Sequence, residues 1–164
     1  VHRRMRYQLV DTPGLLDRPM AQRNPIEMQA IAALEHVGDL CLFLMDPSET
    51  GGTPMETQLN LLDEVASLLP QTPLLVVDGK GDLIEGIDAG EWKAVCEMEA
   101  ALAVDPSGPI PEIRNPASGH LVISATEPAG IARLHHEIIM RIGEMRDTDP
   151  LNLPDHWHVN DDRV

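Results

Sequence analysis

Apolar and polar positions alternate along the chain in two different rhythms. Short apolar runs predict strands, and longer stretches with apolar residues at helical spacing predict helices between them. The predicted strands cover residues 5–10, 39–45, 73–77 and 119–123, and the predicted helices cover 25–37, 53–69, 91–104 and 129–145. Strands separated by helices predict an α/β fold, with a mostly parallel sheet and helices on both faces.

Two of the predicted helices carry start signals. Asn24 precedes Pro25, and Thr53 precedes Pro54 with Glu56 three residues after the threonine. Asn and Thr are N-cap residues, proline is favoured at the first helical position, and Glu56 completes the spacing of a capping box. We expect one folded unit over residues 1–146 and a polar tail over 147–164.

Composition and charge narrow the possible functions. The chain has 164 residues, 43% of them hydrophobic but only 2% aromatic, so aliphatic residues must fill its core. The net charge of −15 argues against direct DNA binding, and no apolar run is long enough to predict a membrane span. The two cysteines form no C-x-x-C motif, which favours reduced thiols in a cytoplasmic protein. The acidic residues of segment 85–99 are most simply a solvated face.

A first candidate motif, Asp11-Thr12-Pro13-Gly14, follows the first predicted strand. Ligands bind at the carboxyl ends of strands in open α/β sheets. Asp11 could hold Mg²⁺ through a water molecule, and Gly14 could bring its N–H close to a γ-phosphate. The alternative is an ordinary turn after a strand.

A second candidate motif, Asp78-Gly79-Lys80-Gly81-Asp82, follows the third predicted strand. It resembles the N-K-x-D motif with which GTPases read guanine, but Gly79 stands where Asn is expected. The Asp82 carboxylate could accept hydrogen bonds from guanine N1–H and the 2-amino group, and the Lys80 stem could lie along the base plane. A solvated glycine turn is the alternative. Ser124-Ala125, after the fourth strand, resembles the S-A motif whose backbone N–H meets the guanine 6-oxo group.

The order of these motifs and the residues around them point to a family. The matching positions lie in Asp11–Pro19, Arg23–Leu34, Phe43, Asp46–Thr50 and Gln58–Leu62. Together they closely resemble the archaeal branch of the Nog family of nucleolar GTP-binding proteins, which is related to the Obg GTPases. The similarity is nearly continuous from Tyr7 to Leu62 and weaker out to about Met145.

The resemblance implies a small-GTPase-like, P-loop NTPase fold and a Mg²⁺-dependent GTPase acting in large ribosomal subunit assembly. By position, Asp11 would be the Mg²⁺-linked carboxylate and Gly14 the γ-phosphate donor. The nucleotide-binding set would be completed by Lys80, Asp82, Ser124 and Ala125. Leu15 occupies the place of a water-orienting Gln in many GTPases, so slow intrinsic hydrolysis is expected.

No G-x-x-x-x-G-K-[ST] phosphate-binding loop occurs in the chain. We therefore expect a fragment of a G domain that neither binds GTP tightly nor hydrolyses it alone. We also expect the strand carrying Asp11 and the strand ending at Asp46 to lack their common neighbour. The rival hypothesis is a non-catalytic interaction module derived from a G domain; a phosphohydrolase is disfavoured because no nucleophile or acid–base pair stands out.

Overall fold

The computed structural model describes residues 8–11, 24–25, 38–127 and 129–148, with the side chains of 145–148 excepted. Three strands and three α-helices alternate along the chain, with one short 3₁₀ turn at Gly81–Leu83. They are β1 (Cys41–Met45), α1 (Met55–Leu68), β2 (Leu74–Asp78), α2 (Ala89–Leu102), β3 (Leu121–Val122) and α3 (Ile131–Thr148).

The three strands form a parallel sheet in the order β1-β2-β3. Cys41 pairs with Leu74 and Met45 with Asp78, so β1 and β2 end at the same level. Asp78 also pairs with Val122, the last residue of β3, so the loop after β3 begins at the same level. The carboxyl ends of all three strands therefore meet along one edge of the sheet.

Helices cover both faces of this sheet. On one face α1 packs through Leu61 and Val65 against Phe43 and Met45. On the same face α2 packs through Val95 against Val122. On the other face α3 packs through Leu134 and Ile138 against Leu75 and Val77. The α/β class, the parallel sheet and the two-faced helix arrangement are thus confirmed.

The predicted start of α1 is wrong in detail. Pro54, not Thr53, is the N-cap, and no side chain of the predicted capping box bonds there. Instead the Glu49 carboxylate accepts a hydrogen bond from the Met55 N–H at 2.8 Å. A carboxylate from the preceding loop satisfies the free N–H, so the local capping box is not needed.

The start of α2 and the end of α3 also differ from the prediction. Asp88 is the N-cap of α2, accepting from the N–H groups of Gly90 and Glu91, so the helix begins two residues earlier. Helix α3 continues to Thr148, which puts the first two residues of the predicted tail in its last turn. Glu99 corrects the prediction of a solvated acidic face, because it is only 9% exposed and accepts from the Ala132 N–H.

The first predicted strand is not observed where the structure describes it. Residues 8–10 have no regular secondary structure, and Leu9 is 90% exposed. Within the described residues the sheet consists of β1, β2 and β3, and residues 8–10 pair with none of them. Residues 5–7 and most of the predicted helix 25–37 lie outside the described part, where only Pro25 of that helix is seen as helical.

Cys41 and Cys96 are both free thiols. Burial raises the pKa of the Cys41 thiol, and burial followed by the charges of Glu127 and Glu99 raises the pKa of Cys96. Neither thiol is therefore activated as a nucleophile. Among the described helices none is long and apolar enough to cross a membrane.

Candidate functional site at the carboxyl edge of the sheet

The loops after β2 and β3 are joined by backbone hydrogen bonds. The Ile123 N–H donates to the Asp78 carbonyl at 2.8 Å, and the Gly81 N–H donates to the Ile123 carbonyl at 2.9 Å. These bonds continue the parallel ladder beyond the last strand residues. They place the Lys80-Gly81-Asp82 segment directly beside Ser124 and Ala125, as the sequence predicted.

Asp82 and Ser124 meet through their side chains. The Ser124 hydroxyl donates to Asp82 Oδ1 at 2.7 Å, and Ser124 itself is only 1% exposed. The same hydroxyl oxygen accepts from the N–H groups of Thr126 and Glu127 at 3.2 and 3.1 Å. Asp82 is exposed, and each carboxylate oxygen has two lone pairs, so the group can still accept bonds from a ligand.

Gly81 is required by packing. A Cβ at this position would lie 2.4 Å from Trp92 Cη2 and 2.4 Å from Val122 Cγ1. The Trp92 indole N–H donates to Glu127 at 2.5 Å, which fixes the ring over the glycine. The indole thus packs against the loop after β2 and connects it, through Glu127, to the loop after β3.

Lys80 adopts a left-handed backbone conformation, with φ of 53° and ψ of 42°. Its ammonium group donates to Asp46 Oδ2 at 2.6 Å and to Thr50 Oγ1 at 2.8 Å. Both partners lie in the loop after β1. Lys80 therefore joins the ends of β1 and β2, a contact that sequence reasoning missed, although Asp46-Pro47-Ser48-Glu49-Thr50 had been singled out as part of the resemblance.

Asp46 is held from several directions. Its carboxylate accepts from Ser48 Oγ at 2.5 Å and the Gly51 N–H at 3.0 Å, besides Lys80. Partial burial acts to raise the pKa of Asp46, but the bonds from Lys80, Ser48 and Gly51 outweigh it and lower the pKa below its ordinary value of 3.8. The group is a carboxylate at neutral pH, suited to bind an ammonium.

Gly79 lies between these two anchored segments. Its N–H donates to the Met45 carbonyl at 2.8 Å, and the residue is buried. A Cβ there would lie 3.2 Å from Leu44 Cδ1, on a side chain that is 49% exposed and can move outward. The position can accommodate a Cβ after a small shift of Leu44, so a steric clash at the Cβ does not force the glycine.

Asp78 is a buried carboxylate that the sequence did not mark as special. It is 0% exposed and accepts from Asn115 Nδ2 and Ser118 Oγ, both at 2.7 Å. His120 Nδ1 lies 3.0 Å from its other oxygen. Three side-chain partners leave Asp78 little capacity for a ligand, so its role is to tie the loop 114–120 to β2.

Asp11 and Gly14 are not brought into this site by the described structure. Asp11 is exposed, and no hydrogen bond found among the described residues joins it to Lys80, Asp82 or Ser124. Gly14 lies outside the described residues. Their predicted roles in Mg²⁺ and γ-phosphate binding therefore stay predictions. No group of three or more His, Cys, Asp or Glu side chains suited to a metal occurs in the part of the chain that the structure describes.

A family model matches one segment in the first half of the chain. Residues 25–82 match the family model of nucleolar GTP-binding protein 1, which includes the whole span from Pro25 through β1 and β2 to Asp82. The resemblance to the Nog family is confirmed. The matched span ends at Asp82. It therefore contains the Lys80–Asp46 pair but not Ser124, whose hydroxyl donates to Asp82.

Individual relatives agree with this match. The chain is 50% identical over 78 residues to an uncharacterized protein of the archaeon Methanocaldococcus jannaschii, covering 48% of this chain and 22% of that protein. It is 41% identical over 87 residues to nucleolar GTP-binding protein 1 of Drosophila melanogaster, covering 53% of this chain and 13% of the relative. For the Saccharomyces cerevisiae protein of the same name the identity is 40% over 90 residues, covering 55% and 14%.

A solved structure shares the fold over most of the chain. The chain superimposes with a TM-score of 0.56 on the crystal structure of a candidate nucleolar GTP-binding protein 1 from Plasmodium falciparum, at 23% identity. The match covers 84% of this chain and 64% of that one. The fold prediction of a partial G-domain-like α/β unit is thereby confirmed. The chain spans only 13% to 22% of the length of the curated relatives described above.

Proposed function

We propose that this chain supplies the guanine-recognition part of a Nog-type GTP-binding protein, whose complete form hydrolyses GTP to GDP and phosphate. The observation that carries the proposal is the Asp82 carboxylate, exposed at the carboxyl edge of the sheet and oriented by the Ser124 hydroxyl at 2.7 Å. Relatives named for GTP binding support the same nucleotide.

The chemistry of this pair favours guanine over adenine. Guanine presents two adjacent donors, N1–H and the 2-amino group, to a carboxylate that can accept both. Adenine presents an acceptor at N1 and no 2-amino group, so its edge offers Asp82 no donor at these two positions. The Lys80 stem lies beside this carboxylate in sequence and can cover one face of the base.

The phosphates and Mg²⁺ would be held mainly by groups outside this pair. Asp11 has the hard oxygen ligands that Mg²⁺ prefers and is exposed to water, which fits contact through the hydration shell. A single carboxylate does not hold the ion by itself, so Mg²⁺ would arrive with the nucleotide phosphates. Without a phosphate-binding motif in these 164 residues, we expect weak nucleotide binding and no hydrolysis by this chain alone.

The cellular context follows from the family resemblance. We propose that the complete protein acts in the cytoplasm of an archaeal cell, on the precursor of the large ribosomal subunit. The similarity to the Methanocaldococcus protein supports the archaeal branch. The negative charge of the chain makes direct DNA binding through this segment unfavourable.

The proposal can be tested on the isolated chain by nuclear magnetic resonance. The ¹⁵N-labelled chain is titrated with millimolar GDP and, separately, ADP. We expect GDP alone to shift the amide signals of Gly81, Asp82 and Ala125. The Asp82→Asn variant should lose GDP and gain xanthosine diphosphate, because an amide can donate to the 2-oxo group that replaces the 2-amino group. Asp63→Asn, an exposed carboxylate on α1, is the matched control. Equal shifts with ADP and GDP would disprove guanine recognition.

The rival function is a non-catalytic interaction module, and Gly79 is the observation that favours it. Gly79 lacks the side chain expected at this place, although a Cβ could be accommodated there after a small shift of Leu44. Gly79→Asn separates the two functions. If the site reads guanine, the restored amide should strengthen GDP binding without changing ADP binding. If the chain only binds a protein or RNA partner, Gly79→Asn should leave both nucleotides equally weak.

A further inference from the structure

The loop that would contact the base has an unusual anchor. Lys80 occupies a left-handed backbone conformation that non-glycine residues rarely adopt, so something outside the residue must hold it there. Gly79 provides no side chain for this purpose. Within the described residues, the side-chain hydrogen bonds of Lys80 go to Asp46 and Thr50, both from the loop after β1.

Asp46 is itself rigidly placed by α1. Its backbone N–H donates to Gln58 Oε1 at 2.7 Å, and its carbonyl accepts from Gln58 Nε2 at 2.9 Å. Gln58 is 0% exposed and lies on the buried face of α1. One buried carboxamide therefore fixes both backbone groups of Asp46, which transmits the position of α1 to the carboxylate.

The side chain of Asp46 is arranged to receive an ammonium. Ser48 Oγ and the Gly51 N–H donate to the two carboxylate oxygens, which sets the orientation of the group. Lys80 Nζ then lies 2.6 Å from Oδ2. The Asp46 side chain is 17% exposed and the Lys80 side chain 43%, so the pair is only partly shielded from water. Its contribution to stability is accordingly small, and its geometry matters more than its strength.

We propose that Asp46 is a positioning residue for Lys80. It orients the Lys80 stem for contact with the face of the base, a task for which Gly79 offers no side chain. This inference rests on the proposed function. Asp46 does not touch the nucleotide; it ties the ammonium to the β1 loop so that the four-carbon stem crosses from β2 toward β1 above the carboxyl edge. A nucleotide base seated on Asp82 would then meet a stem already ordered, which reduces the entropy lost on binding.

A double-mutant cycle tests this role. GDP and ADP affinities are measured by the same titration for the wild type, Asp46→Asn, Lys80→Met and the double variant. We expect Asp46→Asn to weaken GDP binding about two- to fivefold, the range of a partly exposed ion pair. In the Lys80→Met background the same change should have no effect, because there is no stem left to orient. Asp63→Asn makes the same charge change away from the site and should leave GDP affinity unchanged.

Separate measurements distinguish the failure of each claim. The order of the Lys80 side chain is followed without nucleotide through its ¹⁵Nζ signal, which should broaden in Asp46→Asn and be restored in Asp46→Glu. If Asp46→Asn weakens GDP equally in both backgrounds, the residue acts only through folding and the positioning role is overturned. If the wild type does not prefer GDP to ADP, the proposed function is wrong. Asp46 then has no role in base recognition, even if the ¹⁵Nζ signal of Lys80 still depends on Asp46.

Discussion

The buried and the exposed residues of segment 78–82, at the end of β2, differ in how many hydrogen-bond partners their carboxylates have. The buried residues form its inward side and the exposed residues its outward side. On the inward side Asp78 is 0% exposed with three side-chain partners, and Gly81 has no space for even one carbon. On the outward side Asp82 has one hydroxyl donor, and both Asp82 and Lys80 are exposed. The same five residues thus contain a saturated carboxylate that holds the fold and an unsaturated carboxylate that can receive a ligand.

The largest effect is expected for Asp78→Asn. The amide keeps the shape but places its NH₂ against groups that now donate to the carboxylate, leaving buried donors without acceptors. We expect the free energy of unfolding to fall by about 3 kcal/mol. Urea unfolding followed by circular dichroism measures it. Asp63→Asn serves as the exposed control, and a loss below about 1 kcal/mol would mean that the loop 114–120 does not depend on Asp78.

Gly81→Ala should have the next largest effect. The added Cβ would lie 2.4 Å from both the Trp92 ring and Val122, so the indole or the β2 loop must move. A loss of about 1–3 kcal/mol in the free energy of unfolding is expected from such overpacking. Gly143→Ala is the matched control, because a Cβ there meets nothing within 4 Å and the residue is helical. Equal stability of the two variants would contradict the tight packing described for Gly81.

A smaller effect is expected from acid on the outward side. The pKa of Asp46 is lowered in the folded chain, so its pair with Lys80 stabilises the fold above the ordinary carboxyl pKa of 3.8. That contribution is lost as pH falls through the lowered folded pKa. The stability difference between wild type and Lys80→Met should therefore be about 0.5 kcal/mol at neutral pH and vanish in strong acid. A difference that persists at acid pH would show that Lys80 acts through packing instead of charge.

The smallest effect on stability is expected for Asp82→Asn. The exposed carboxylate loses little when its charge is removed, and the amide oxygen can still accept from Ser124. We expect a change within about 0.5 kcal/mol in the free energy of unfolding, measured in the same urea experiment. A loss comparable to that of Asp78→Asn would remove the contrast between the two sides and make Asp82 a structural residue.

The sequence predicted the sheet and helix layers of this molecule well, because apolar runs and helical periodicity indicate which residues are buried. The parallel sheet and the two-faced helix layers follow from such local patterns, whereas the placement of Asp82 beside Ser124 was expected only from the family resemblance. The helix boundaries were less accurate, since caps such as Glu49 for α1 come from loops that local rules do not anticipate.

The side-chain contacts between different loops that sequence reasoning missed are long-range. Asp46 and Lys80 are 34 positions apart, and Asp78 and Ser118 are 40 apart. No spacing rule joins such pairs; only the register of the parallel strands does. The first predicted strand is not observed over residues 8–10, which pair with no strand of the described sheet, so an apolar run alone did not predict pairing there.

The indole of Trp92 gives this site an optical reporter. It packs on Gly81, donates to Glu127 and is half-buried, so it touches both loops that would enclose a base. Its emission depends on the polarity and motion around the ring, and the other tryptophan, Trp157, can be replaced by Phe to isolate its signal. Changes in the wavelength and intensity of that emission would then report a change in the surroundings of the two loops in real time.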